Sequence, residues 1–426
     1  MSNSVSTHGL WAVTAPHHPD LSSIKGEKKT DVVVIGGGYT GLSAALHLAE
    51  SGIDVILLEA KGVGYGGSGR NVGLVNAGLW LFPDEVVKLI GDEHGETLIN
   101  VLGASPDLVF ELINKYDIQC EAVREGTLHC AHSASGFRNL QLREEQWQRR
   151  GAPVTLLNRQ KASSMIGSNT FHGALWDKRA GRLQPLSYVY GLANAATQAG
   201  AKLFINSPVT TYTRRSNDWE LKTPDGRVLA KKVILTTQGY PDHAFKDQKK
   251  SMIPFNFFQF STAPLQESVR ESILPGKQPA WDTNVVLSSY VVDADGRLIV
   301  GSVGQARKGG YNHHRKWALR TIKKVFPQIG EIDLEYSWDG IIRMTPDHVP
   351  KFHILDRDFF TITSYNGRGI GPGTVFGKLL AAYAQTENEA TTPLPITEQK
   401  SVAAKFLRGL YYEMGGRAYH AVQRRF

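Results

Sequence analysis

Only two cysteines, Cys120 and Cys130, occur among 426 residues. That is too few for a disulfide framework, and no cluster of ligand side chains surrounds either one. Both are expected to be ordinary thiols in a reducing compartment, and no metal site is expected. Long apolar runs are also missing, since none reaches the length that crosses a bilayer. The N-terminus lacks a basic stretch followed by an apolar core, so no secretory signal is expected and the chain reads as cytoplasmic. Zinc-finger spacings and the paired aromatic motif of RNA-binding sheets are absent too. Nucleic acid is therefore not expected as a partner, despite a net charge of +8 from 48 Lys and Arg against 40 Asp and Glu. That charge leaves an anionic membrane surface or acidic small molecules. There is no internal repeat and no low-complexity tract.

What is present suits a soluble protein with two or three sizeable cores: 41% hydrophobic, 21% charged and somewhat rich in glycine, at 43 residues. The most informative stretch is residues 31–60. An apolar run ends at Ile35, Gly36-x-Gly38-x-x-Gly41 follows, a helical pattern runs from Leu42 to about Glu50, and a second apolar run, Val55 to Leu58, ends in Glu59. This is strand, tight turn, helix, strand. The glycines let the backbone approach a pyrophosphate at the helix N-terminus. Glu59, eighteen residues beyond Gly41, stands where a carboxylate accepts both hydroxyls of an adenosine ribose, which disfavours a 2′-phosphate.

Residues 1–30, with Pro16 and Pro19, read as an arm laid over the surface, its neighbouring His17 and His18 solvated. The loop from Gly62 to Gly78 is dense in glycine and reads as backbone pressed against a cofactor, with Ser68 and Arg70 near its phosphates or ring and Asn71 beside them. Apolar residues three and four apart predict helix over 85–116. Residues 120–135 turn strand-like, 136–150 return to helix, and a helix of about 186–199 precedes a strand at 200–206. A hairpin at Pro224-Asp225-Gly226 and a buried strand ending at Gly239 complete a second nucleotide-domain unit. Phe255, Phe257, Phe258 and Phe260, interleaved with Asn256 and Gln259, suit a sheet lining an apolar pocket. A strand at 285–292 pairs with 297–301, residues 313–326 read as helix, and Ile332, Leu334, Tyr336 and Trp338 alternate on one strand face. A last strand at 360–364 leads through Asn366-Gly-Arg-Gly369-Ile-Gly371-Pro-Gly373 into a helix over 374–385, so a second helix N-terminus faces an electron-rich group.

Glycine blocks near 36, 70 and 370 with long excursions between them imply a discontinuous nucleotide domain holding one large cofactor. Gly36-Gly-Gly-Tyr-Thr-Gly41, Glu59, Ser68-Gly-Arg-Asn71, Gly181-Arg-Leu-Gln-Pro185, Thr345-Pro-Asp347 and Gly367-Arg-Gly-Ile-Gly371 span nearly the whole chain. On these residues the sequence resembles the D-amino-acid oxidase and sarcosine oxidase superfamily of FAD-dependent amine oxidoreductases. Ser-Gly-Arg-Asn resembles the γ-glutamylputrescine oxidase branch, which includes bacterial oxidases of cyclic amino acids such as L-pipecolate. The resemblance implies a discontinuous, Rossmann-like α/β FAD-binding domain (1–90, 155–250 and 339–426). It also implies an α+β substrate domain (91–154 and 251–338) built on a mainly antiparallel sheet.

It further implies FAD contacts from Gly36, Gly38, Tyr39, Thr40, Gly41, Glu59, Ala60, Ser68, Gly69, Arg70, Asn71, Val209, Gly239, Gly369, Gly371, Gly373 and Thr374. Both cysteines precede residue 131, far from Gly369, so the FAD is expected to be noncovalent. The chemistry implied is oxidation of an amino acid at its C–N bond to an imine, with L-pipecolate the specific expectation and oxygen or a respiratory quinone as acceptor. An oxidase of γ-glutamylputrescine or another polyamine derivative is the alternative, and a noncatalytic flavin electron-transfer module a third reading. No general base is assigned. Arg343 is the first candidate for holding a substrate carboxylate, offset by one residue from the commoner Trp-x-Gly-Leu-Arg pattern. Arg368 competes with it, while Gln259, Tyr290 and His348 are candidates for the pocket wall.

The tail carries Lys400, Lys405, Arg408, Arg417, Arg424 and Arg425 against the single acid Glu413. Val402, Phe406, Leu410 and Met414 form an apolar strip interrupted by Gly415-Gly416. Such a segment can lie on an anionic inner membrane and bring the flavin close to a respiratory acceptor.

Overall fold

The computed structural model describes residues 7–16, 18–216, 218–240, 243–307 and 309–423. His17, Arg424 and Arg425 therefore lie outside the described residues, as does the side chain of Phe406. Two eight-stranded sheets organise the chain. In the first, Gly26–Ile35 is central, flanked in parallel by Val55–Leu58 and by Gly226–Leu235. Lys202–Phe204 and Phe359–Thr363 extend it outward, also in parallel. Its strands are apolar on both faces because both faces are covered. Val32, Val34, Val55 and Leu57 face one core, while Val33, Ile35, Ile56 and Leu58 face another.

The first core is closed by helices Tyr39–Glu50, Pro185–Gln198 and Ile370–Thr386. The first and last of these touch through backbone. A Cβ on Gly377 would meet the Thr40 carbonyl at 2.5 Å, and Ser43 Oγ donates to the Thr374 carbonyl at 2.6 Å. Only residues without bulk on those faces allow helices so far apart in sequence to pack this closely.

The second sheet runs Leu334–Met344, Ile253–Pro264, Arg297–Val303, Ser288–Val292, Ala280–Asp282, Thr127–Cys130, Gly173–Asp177, Val154–Asn158. All its pairings are antiparallel except that of Ala280–Asp282 with Thr127–Cys130. This matches the expected α/β unit joined to a mainly antiparallel one. The boundaries differ, however. Val154–Asn158, which straddles the boundary expected between 154 and 155, and Gly173–Asp177, expected in the nucleotide domain, hydrogen-bond into the second sheet. Leu334–Met344 is one strand running through the boundary expected at 339.

The N-terminal arm is not laid over the surface. Helix Leu10–Thr14 forms just ahead of Pro16 and buries Leu10 and Trp11. Trp11 packs edge-on to Trp338 at 5.5 Å, and its Nε1 donates to the Asn71 carbonyl. Apolar burial of the indole anchors the arm here, ahead of the turn that Pro16 marks.

Helix Lys405–Val422 is latched onto the second sheet through histidines. Ser302 Oγ donates to the Leu287 carbonyl at 2.6 Å. His420 Nε2 therefore donates to Ser302 at 3.0 Å, and His314 Nδ1 donates to His420 Nδ1 at 3.2 Å. His313 belongs to the same cluster, with ring nitrogens within 4.8 Å of one another. Arg320 and Arg417 stand against it, so a metal ion gains little there and hydrogen bonding accounts for the group.

Burial holds His314 down to about 3 and His420 down to about 2. Both values lie below the unfolded one, so the latch contributes fully above the ordinary histidine pKa and is lost as pH falls below it. We expect the thermal midpoint to drop on acidification from neutrality to about pH 5.5, and to drop less in His420→Leu. An equal slope in both proteins would remove the latch.

Candidate active site

A cavity of about 900 Å³ opens where the two sheets meet. Its floor is the end of the first sheet. Gly36, Gly37 and Gly38 link strand to helix, and Glu59 stands at the end of the neighbouring strand. Glu59 Oε2 accepts the Gly37 N–H at 2.7 Å and Oε1 the Lys61 N–H at 2.8 Å.

Gly41 does not reach the cavity. A Cβ there would lie 1.9 Å from the Gly36 carbonyl, so its glycine serves the tightness of the turn. Ser68 Oγ accepts the Tyr39 N–H at 3.1 Å, standing at the helix N-terminus where a phosphate is expected. Tyr39, Thr40, Ala60, Val209 and Gly239 also line the cavity, and Asn71 donates to the Ser68 carbonyl and to Tyr39 Oη.

The expectation for Arg70 is corrected. It is 3% exposed and absent from the cavity wall. Its Nε donates to the Tyr65 carbonyl, and its guanidinium lies between the rings of Tyr65 and Tyr240 at 4.8 and 5.3 Å. The Arg70 carbonyl accepts from Trp338 Nε1. It therefore braces the loop that carries Ser68. Gly69 packs against Gly64 and Leu186, Gly373 against Tyr39 and Thr40, and Thr374 Oγ1 donates to the Ile370 carbonyl, all three away from the cavity.

The far wall comes from the last crossover. Asn366 at φ 50°, Gly367 at φ 87°, Arg368, Gly369 and Gly371 carry the chain into helix Ile370–Thr386, whose N-terminus faces the cavity. A Cβ on Gly369 would meet nothing within 4 Å, whereas one on Gly371 would strike Ser105. Arg368, 8% exposed, extends between Trp80 and Trp281, each ring centroid 5.3 Å from its guanidinium. Its Nη1 donates to the Ala77 carbonyl, but Nε has no partner. Burial, and then the neighbouring Arg143, push its pKa down to about 9, so it remains cationic at neutral pH.

Arg343 points elsewhere. Side chains alternate along Leu334–Met344, so Ile342 faces the Gly367 turn while Arg343 Nε lies 3.4 Å from the Gly239 carbonyl. It lines the cavity on a different side, beside Tyr240, and burial lowers its pKa. Gln259 lines the wall with its Oε1 buried and unpartnered. His348, at φ 57° in the turn after Thr345, also lines it.

Tyr290 is a correction. It is fully buried in the second core between Phe171 and Phe326. On an inner strand its face of the pleat looks away from the cavity, towards which the adjacent Ser289 is turned.

Trp80 and Trp281 escaped the sequence reading. Trp80 follows Gly78-Leu79, and the signal was an aromatic at the end of the glycine-rich loop. Trp281 sits in a strand too short to announce itself, stacked on His129 at 3.4 Å.

A family profile described as FAD dependent oxidoreductase matches residues 31–383. The chain belongs to this family. Among curated relatives, the oxidoreductase is 32% identical over 382 residues to the probable oxidoreductase OrdL of Haemophilus influenzae, covering 85% of this chain and 84% of that one. It is 29% identical over 385 residues to γ-glutamylputrescine oxidoreductase of Escherichia coli, covering 90% of each. Its fold resembles glycine oxidase from Geobacillus kaustophilus (TM-score 0.69, 20% identity, 85% of this chain and 96% of that one) and L-proline dehydrogenase from P. horikoshii (TM-score 0.70, 18% identity, 86% and 97%). The class expected from the sequence, an FAD-dependent amine or amino-acid oxidoreductase, is borne out.

The residues fit the cofactor. A carboxylate stands beside a glycine-lined helix N-terminus that carries the Ser68 hydroxyl, and a second helix N-terminus closes the far end. When bound, FAD supplies the acceptor for the hydride that leaves the carbon next to the amine. The protein's part is to hold and orient both reactants in an enclosed chamber. Cys120 and Cys130 are buried outside the cavity, and burial raises the Cys120 thiol to about 12. Neither can act as a thiolate towards the flavin. Acid precipitation should therefore leave the flavin in the supernatant; colour retained in the pellet would refute a noncovalent site.

Proposed function

We propose that the enzyme oxidises a small amino acid at its C–N bond to the imine, with L-pipecolate as the leading substrate and Arg368 holding its carboxylate. Arg368 carries this reading. A cation 8% exposed, clamped by two indoles and paired with no carboxylate among the described residues, is costly unless the substrate brings the anion. Trp80, Trp281, Phe257 and Ile342 give the apolar walls that suit a compact ring. A free polyamine is disfavoured, because among the described residues Glu59 and Glu85 are the only acids on the cavity wall and Glu85 already accepts the Phe82 N–H.

A second reading keeps a remote carboxylate. Arg343 and Lys249 line a different side of the chamber and suit the acidic end of a γ-glutamylputrescine-type substrate. The test is anaerobic bleaching of the flavin by a panel of L- and D-amino acids, cyclic imino acids and γ-glutamylated amines. Bleaching by L-pipecolate supports the first reading, and bleaching by γ-glutamylputrescine alone supports the second. Equally fast bleaching by amines without a carboxylate would sink both. Oxygen or a respiratory quinone is proposed as the acceptor, to be separated by oxygen uptake against quinone-analogue reduction.

A further inference from the structure

Helix Lys405–Val422 presents two faces of opposite character. On the inner one, Gly409 meets Pro254, Tyr412 meets the Phe255 ring at 5.4 Å, Glu413 accepts from Asn256 and Gln305, and His420 enters the latch. On the outer one stand Leu407, Leu410, Tyr411 and Met414, 64, 47, 75 and 61% exposed, at intervals of three and four residues. Val422 continues the row, and among the described residues Arg408 and Arg417 flank it, Arg417 paired with Glu413.

Five of the twelve large hydrophobic side chains exposed among the described residues thus lie on this helix. Val285, 94% exposed, stands in the loop that Tyr419 ties to the helix through Asn284. A row this continuous is the mark of an interaction surface.

Its surroundings identify the partner. Lys405 Nζ donates to the Lys249 carbonyl at 2.9 Å, and Lys249, Lys250 and Arg343 all press positive charge on Lys405. The nearby acid Asp247 is paired with Lys250. A second copy of the chain would bring the same cations against these and be repelled. An anionic bilayer offers apolar depth to the row and phosphate to the fringe.

We propose that helix Lys405–Val422 docks in the plane of an anionic lipid surface, with Leu407, Leu410, Tyr411 and Met414 inserted and Lys249, Lys250 and Arg408 on headgroups. Phe255, Lys249 and Val285 also line the cavity, so docking sets the chamber against the headgroup layer.

The test is flotation of the full-length, FAD-loaded enzyme with vesicles of phosphatidylglycerol and phosphatidylcholine in equal parts. Wild type should float, less so in high salt, and the double variant Leu410→Glu with Met414→Glu should float at least about tenfold less while keeping its flavin and activity. Because both positions are exposed, retained flavin confirms that the variant is folded. Equal flotation of the two proteins, or no flotation of wild type, would overturn the proposal. So would a concentration-dependent dimer abolished by the same variant, which would give the row to a second copy.

Discussion

In Arg368→Met, KM for a carboxylate-bearing amino acid should rise about a hundredfold or more, from removing one partner of a desolvated charge pair worth about 3–5 kcal/mol. The flavin content should not change, since Arg368 is held by the Ala77 carbonyl and two indoles rather than by the segment around Glu59. Nor should the free enzyme lose stability. In wild type the guanidinium is buried and feels the positive charge of Arg143, so methionine of similar reach relieves that cost. An amine lacking a carboxylate should be turned over as well by the variant as by wild type. Lysine at 368 should rescue only part of the loss, because an ammonium cannot bind a carboxylate in two-pronged fashion. Arg343→Leu is the control: facing the Gly239 carbonyl, its loss should affect a compact substrate little. Unchanged KM in Arg368→Met, with flavin retained, would remove Arg368 from the site.

The second large effect is on the cofactor itself. Glu59→Ala should weaken FAD binding by about 3–4 kcal/mol, a few hundredfold, enough for the enzyme to be purified largely without flavin. The loss has two parts: the acceptor for the ribose hydroxyls disappears, and the Gly37 N–H now satisfied by Oε2 is orphaned. Glu59→Gln keeps one acceptor oxygen and should fall between the two. The measurement is the flavin-to-protein absorbance ratio after dilution and gel filtration; full occupancy in Glu59→Ala would place the ribose elsewhere.

The first sheet was legible because its period is local. Val32 to Ile35 and Val55 to Leu58 are apolar throughout, as strands buried on both faces must be, and the glycine turn and Glu59 announce what sits at their ends. The second sheet was not, because its order depends on pairings between residues far apart in sequence. Ala280–Asp282 joins Thr127–Cys130 across about 150 residues, and nothing in either short strand encodes the partner. The same limit explains individual residues. Arg70 carries a charge that suits phosphate, yet two tyrosines from separate segments take it. Tyr290 and Ser289 are neighbours, and only the direction of the pleat decides which of them meets a substrate. Pro16 and Pro19 flag turns correctly but say nothing of Trp11, whose burial needs Trp338 from the other end of the chain.

That reliance on distant segments has a consequence for biosynthesis. Gly26–Ile35 leaves the ribosome well before one of its two neighbours, Gly226–Leu235, which follows some 200 residues later. The turn that closes the far end of the cavity, Gly367 to Gly371, comes later still. A nascent chain can offer the flavin an adenosine end long before it has anywhere to put the ring. Full capture of the cofactor therefore waits for the turn Gly367 to Gly371, and until then the glycine turn of the first strand lacks the far wall of the cavity.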